Sequence, residues 1–278
     1  MSLNITGLKP VDTSKSRMKV LIYGEPGSGK TRLASTIADQ GAKTLFLDFV
    51  GEHGTASFAG APYAKNIDVY QVDTVEAMDK VYYHLKSGKH DYDALVVDSL
   101  TAMQNYAERF AQGFQETSIK EISRGTQTQS SFQVWGKSNM VMTEVAKFFS
   151  DLASPSNVRP IDVVFIAHAT AKTNDISNEV ERTIAVQSGA RAGILASMDY
   201  VLFTEVIPNM EGDPEVDPSQ HIVRFGAHPG YVTKARVPQD KLGKVPPILG
   251  LKSPLSLTKL GGALGIIRKT DTAKNTKK

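Results

Sequence analysis

Eight residues restrict this chain more than any others: Gly24-Glu25-Pro26-Gly27-Ser28-Gly29-Lys30-Thr31. They fit the spacing G-x-x-x-x-G-K-[ST]. The residues before them, Met18 to Tyr23, are short, apolar and β-branched, which predicts a buried strand. The residues after them, Arg32 to Ala38, place apolar side chains at 33, 34, 37 and 38, which predicts a helix. Strand, glycine-rich turn and helix in that order bring backbone N–H groups and the positive end of a helix dipole to one point. That is a phosphate cradle. Lys30 supplies a mobile cation for β- and γ-phosphates, and Thr31 a hydroxyl for Mg²⁺. Gly24, Glu25, Pro26, Gly27, Ser28, Gly29, Lys30, Thr31 and Arg32 are therefore expected to line bound ATP. The alternative, a glycine-rich turn with an accidental lysine, lacks the flanking strand and helix.

Several classes are excluded at once. The chain of 278 residues has no cysteine, which removes disulfides, thiolate zinc sites and cysteine nucleophiles. No apolar run approaches a membrane-spanning length and no signal pattern opens the chain, so a cytoplasmic location is expected. The net charge of +3 is concentrated at the end. From Ile266 onward lie five cations (Arg268, Lys269, Lys274, Lys277, Lys278) against one anion, Asp271. The remainder is close to neutral, so the balance shows no strongly basic face of the kind that grips duplex DNA.

The order of elements predicts an α/β fold. Residues 1–17 read as an extension. Strands are expected at Lys43–Asp48, Ile67–Val72, Ala94–Ser99, Ile161–His168 and Asp199–Glu205. Helices are expected from a cap at Asp73 or Thr74 to an end at Lys86-Ser87-Gly88, with Met78, Val81, Tyr82 and Leu85 on one face, and over Leu100–Phe114, Val134–Leu152 and Gly189–Met198. In the third of these Val141, Val145, Phe148, Phe149 and Leu152 should face inward. Gln115–Phe132 reads as a long loop, with or without a short helix in it, and Thr170–Arg182 as a hairpin or loop. The returning strands His221–Phe225 and Tyr231–Arg236 make a meander. The expectation is a mostly parallel central sheet flanked by helices with a C-terminal antiparallel extension, in one domain over 18–250, followed by a segment 251–278 whose basic tail reads as disordered.

Candidate chemistry clusters at strand ends. Asp98 closes an apolar strand, where a carboxylate can hold Mg²⁺ beside Thr31; it could instead cap the next helix. Glu52, with Asp48 as second choice, could orient and deprotonate an attacking water, or both could be solvated loop charges. His168 ends another strand, where an imidazole could touch a γ-phosphate or the water, or be a satisfied structural group.

Together these pieces resemble the RecA-like ATPases, and most closely their short phage-encoded members, the RecA-related single-strand annealing or recombination ATPases. The matching stretches are Gly24–Thr31, Leu45–Asp48 followed by Glu52-His53, Leu95–Ser99, Trp135-Gly136-Lys137, Val163–His168 and Lys234-Ala235-Arg236. RecA carries its Glu-His pair two residues nearer the second strand, and glutamine where this chain has His168. The resemblance implies a RecA-like P-loop NTPase core, ATP hydrolysis coupled to single-stranded DNA, and homo-oligomeric rings or filaments. A phage single-strand binding protein is an implied partner. It also implies two DNA loops, at Gln115–Phe132 and Thr170–Arg191, and Lys234 and Arg236 as catalytic cations delivered to a neighbouring subunit. Lys120, Arg124, Phe132, Trp135 and Lys137 offer stacking and charge in the first loop, although Trp135 could simply pack the helix start. Lys234 and Arg236 could simply be a solvated edge. Two other readings stand beside this one: a nucleotide-dependent assembly or switch ATPase with a protein partner, and a small-molecule kinase.

Overall fold

The computed structural model describes residues 17–113, 131–173, 179–208, 219–237, 239–241, 248–250 and 256–263. The basic tail, nearly all of the first expected DNA loop and the tip of the second lie outside these residues.

Among the described residues ten strands form the sheet, in the order β10-β8-β7-β1-β5-β4-β2-β3 with β6 and β9 attached at its side. The strands are β1 (Lys19–Gly24), β2 (Thr44–Phe49), β3 (Ile67–Val72), β4 (Ala94–Asp98), β5 (Asp162–Thr173), β6 (Val180–Ile184), β7 (Tyr200–Pro208), β8 (Ser219–Arg224), β9 (Lys234–Ala235) and β10 (Ile248–Gly250). From β7 through β1, β5, β4 and β2 to β3 every pairing is parallel. β8 and β10 continue the sheet antiparallel, as the expected extension. β1 and β4 are buried along nearly their whole lengths, which fits their continuous apolar runs. β3 forms one edge of the sheet, and its four middle residues are exposed.

Helices cover both faces. On one side lie α2 (Val75–Lys86), α3 (Leu100–Ala111), α4 (Ser131–Asp151) and α5 (Ser188–Ser197), whose buried Met78, Met103, Phe149 and Ile194 join the larger core. On the other lie α1 (Lys30–Ser35), continued as a 3₁₀ turn through Ala38, and α6 (Leu257–Ala263), which share a core with Phe46 and Phe58. Thr74 caps α2, accepting from the Ala77 amide at 3.1 Å.

Several expectations are corrected. Phe148 is half exposed and packs on Tyr82 rather than inward; the buried stripe of α4 runs through Val134, Ser138, Met142, Ala146 and Phe149. Trp135 does not pack the helix start: it is 62% exposed, because Val134 takes the inward position beside it. The strand expected at Tyr231–Arg236 shrinks to Lys234–Ala235, since Tyr231 is drawn into isolated bridges with Arg182 and His228. Residues 256–263 pack on the core, so the packed body continues past residue 250. No helix among the described residues is long and apolar enough to cross a membrane.

Candidate nucleotide site

Parallel pairing sets the site, because it aligns the carboxyl ends of the strands. Gly24 of β1 stands opposite His168 of β5 and Thr204 of β7, and Asp98 of β4 stands opposite Asp48 of β2. The expected phosphate loop leaves β1 at this row and enters α1. Gly29, the residue before α1, has φ 87°, a left-handed conformation that favours glycine and lets the loop close onto the helix start.

Lys30 is buried, and its Nζ donates to the carbonyls of Gly24 and Glu25 at 3.0 and 2.8 Å. Burial holds its pKa below the usual lysine range, opposed by the nearby Asp98, Glu52 and Glu25 carboxylates. Thr31 Oγ1 donates to Asp98 Oδ2 at 2.8 Å. Asp98 is itself buried, which pushes its carboxyl up to about 6 against the Thr31 hydrogen bond. Gly54 closes over this pair so tightly that a Cβ there would collide with the Asp98 carboxylate. The alternative role for Asp98, capping the next helix, falls to its neighbour: Ser99 caps α3, accepting from the Ala102 amide at 3.1 Å.

The same Ser99 hydroxyl donates to Glu52 Oε1 at 2.8 Å. Glu52 Oε2 lies 3.5 Å from His168 Nε2. The His168 hydrogen bond holds the Glu52 carboxyl below its ordinary range, with Ser99 adding to the effect against partial burial. Asp48 is more deeply buried and accepts from Gln71 Nε2 at 2.8 Å; burial raises its carboxyl. Of the two candidate bases, Glu52 is therefore the one whose charged form its neighbours favour, between Ser99 and the strand-end histidine. His168 is in turn held through its backbone amide, which donates to Thr101 Oγ1 of α3 at 3.0 Å.

The chemistry of the donor set fits a magnesium nucleotide. Among the described residues no group of three or more His, Asp or Glu side chains could hold a metal unaided. Mg²⁺ bound with a nucleotide needs only one or two protein ligands beside the phosphates and water. Thr31 and Asp98, already in contact, fit that requirement. Glu25, Pro26 and Arg32 sit exposed at the rim of the loop.

Lys234 and Arg236 lie elsewhere. Lys234 Nζ donates to the carbonyls of Leu195 and Ala196 at 3.3 and 3.2 Å, closing the C-terminus of α5. Arg236 pairs with Asp199 at 2.7 Å, and Asp199 also faces Lys19 at 3.5 Å. Lys19 begins β1 and Gly24 ends it, so the pair sits near the opposite end of the sheet from the phosphate loop, roughly 16 Å away along the strand.

Sequence reasoning missed Gln71, Ser99 as a glutamate partner, Thr101, Thr204 and His221. Thr204 Oγ1 meets Ser28 Oγ at 2.8 Å and donates to the Tyr23 carbonyl at 3.2 Å. Each comes from a strand or helix whose neighbour is set by topology, so no local spacing pointed to it.

A search among curated proteins finds no match to the chain. A family model described as an AAA domain matches residues 16–237, from just before β1 to just after β9. That match spans the loop, Asp98, Glu52 and His168 alike, and the chain belongs to this AAA-domain family of P-loop ATPases.

Proposed function

We propose that the protein binds ATP with Mg²⁺ and hydrolyses it while acting on single-stranded DNA, in phage recombination or annealing. The observation that carries this reading is the continuity of β5. The strand bears His168, which touches Glu52, and then runs without a break to Thr173 and pairs with β6 as a hairpin. That hairpin belongs to the second expected DNA loop. Anything that grips it pulls on the strand that holds the candidate base. Phe132 and Trp135, exposed at the start of α4 where the first expected loop ends, add aromatic faces on which bases can stack.

In this reading Lys30 exchanges two loop carbonyls for β- and γ-phosphate oxygens. Glu52 accepts a proton from the water that attacks the γ-phosphorus, the bond from that phosphorus to the bridging oxygen breaks, and ADP leaves. Thr31 and Asp98 would hold Mg²⁺, which supplies charge neutralisation on the phosphates. Assembly into a homo-oligomer and cooperation with a phage single-strand binding protein, in a bacterial cytoplasm, complete the proposal.

The deciding experiment is phosphate release with and without single-stranded DNA across a salt series. Stimulation by single strands, with a shallow log–log salt slope of roughly −2 from about three phosphate contacts per protomer, supports the DNA reading. One observation favours a second reading, an assembly or switch ATPase with a protein partner. Across Thr170–Arg191 the cations Lys172, Arg182 and Arg191 are matched by Asp175, Glu179 and Glu181. Turnover indifferent to DNA, with no DNA binding at low salt, selects that reading.

A further inference from the structure

The hydrolytic groups all lie on one side of the phosphate loop. Asp98, Glu52 and His168 belong to β4, to the loop after β2, and to β5, and they fix the γ-phosphate end. A triphosphate laid in the loop therefore carries its nucleoside toward the other side, where β7 and β8 run. That rim is built. His221 of β8 stands opposite Val206 of β7, and alternation puts both on the sheet face that carries Thr204. His221 Nδ1 lies 3.3 Å from the Ser28 carbonyl oxygen, so this nitrogen carries the proton and donates. The ring rests across Gly29: a Cβ there would lie 3.2 to 3.8 Å from three of its atoms. Both His221 and Val206 remain exposed beyond that contact. An aromatic ring and an aliphatic side chain thus stand at the one edge of the loop where a ribose and base must emerge.

We infer that His221 is a nucleoside-binding residue, its imidazole oriented by the Nδ1–H bond to the Ser28 carbonyl and packed against the ribose and base. The inference rests on the ATP-binding reading above and adds the residue that separates a nucleotide from a bare polyphosphate. Contacts of this kind are worth about a factor of ten in affinity.

The test is calorimetric titration of the full chain with Mg²⁺ and either a non-hydrolysable ATP analogue or inorganic tripolyphosphate. His221→Ala should weaken the analogue about tenfold and leave tripolyphosphate unchanged. His221→Phe, which keeps the ring and loses the Ser28 bond, should retain most of the analogue affinity. Equal weakening of both ligands in His221→Ala would make the residue a support for the loop alone and overturn the inference. So would unchanged binding of the analogue by a variant that still binds tripolyphosphate. If the unmodified chain binds neither ligand, the ATP-binding reading fails and this inference falls with it, an outcome distinct from both others.

Discussion

Asp98 is where function and stability oppose each other at the scale of a residue. Burial lifts its carboxyl from 3.8 to about 6. A carboxyl whose folded-state pKa is raised gives its full stability below the unfolded value, and that stability is lost as pH rises through the folded value. Two pKa units correspond to about 3 kcal/mol, so at neutral pH the ionised group burdens the fold by that order. Asp98→Asn keeps an acceptor for Thr31 and removes the charge. It should raise the melting temperature by several degrees at pH 7.5, by about half as much at pH 5, and abolish Mg²⁺-dependent turnover; thermal scans at the two pH values with a phosphate-release assay check all three. Lys30→Ala should leave the circular dichroism spectrum intact and eliminate turnover, since no other cation reaches the loop carbonyls of Gly24 and Glu25 among the described residues. Glu52→Gln should bind nucleotide and hydrolyse it at least a hundredfold more slowly. Loss of turnover in Asp48→Asn with survival in Glu52→Gln would reverse the ranking that Ser99 and His168 support. Lys30, Thr31 and Asp98 were legible because a motif and a strand end mark them. Ser99, Gln71 and His221 were not, because their partners are set by strand order: His221 stands 193 positions from Ser28 in sequence.

Elements read well where their own residues decide them. β1, β4 and the first half of β5 are short apolar runs of the kind that a doubly covered strand requires, and α2 carries its cap and its apolar stripe together. α6 is the opposite case. Its residues, LTKLGGA, include two glycines in seven and have poor intrinsic helicity. Tertiary docking makes the helix. The Leu257 amide donates to Thr36 Oγ1 at 3.0 Å, the Thr258 hydroxyl donates to the Thr36 carbonyl at 2.9 Å, and Ser256 and Thr258 both reach the Asp39 carboxylate. Leu257 and Leu260 are buried in the core shared with α1. The segment lies beyond the residues matched by the AAA-domain model, yet it is fastened to the end of the phosphate-loop helix. Leu257→Ala should therefore cost about 2–5 kcal/mol in a denaturant titration. Full stability in that variant would show that α6 contributes nothing to the body it rests on. α4 was half legible for a related reason: its heptad-like run of small and polar residues hides Ser138 and Ala146 in the buried stripe and leaves Trp135 and Phe148 outside.

For the whole molecule the open matter is whether one chain holds a complete site. Every group so far assigned to the γ-phosphate end is an anion, a hydroxyl or a histidine, apart from Lys30. Charge spreading over a transferring phosphoryl group is commonly met by a second cation, worth about 10³–10⁵ in rate. Lys234 and Arg236 were expected to be that cation for a neighbouring subunit. Their position near the far end of β1 rules out service to their own loop, so any such role has to be in trans. The two differ in how free they are to move. Lys234 is tied to two carbonyls at a helix end, and burial lowers its pKa. Arg236 has a 60% exposed side chain and a single ion pair with Asp199, a kind of contact worth no more than about 1 kcal/mol. Arg236 is then the residue able to leave its own chain, and Lys234 the one that keeps α5 in place. Lys234→Ala should lower thermal stability. Arg236→Ala should leave stability and nucleotide binding near normal and lose turnover by about a thousandfold. Mixed with Lys30→Ala, it should regain part of the activity, because each variant lends the half-site the other lacks. Specific activity of the unmodified protein should rise with protein concentration through the range where light scattering shows assembly. Undiminished turnover of Arg236→Ala, or a specific activity flat across that range, would make the site complete within one chain and leave the Arg236–Asp199 pair a surface contact.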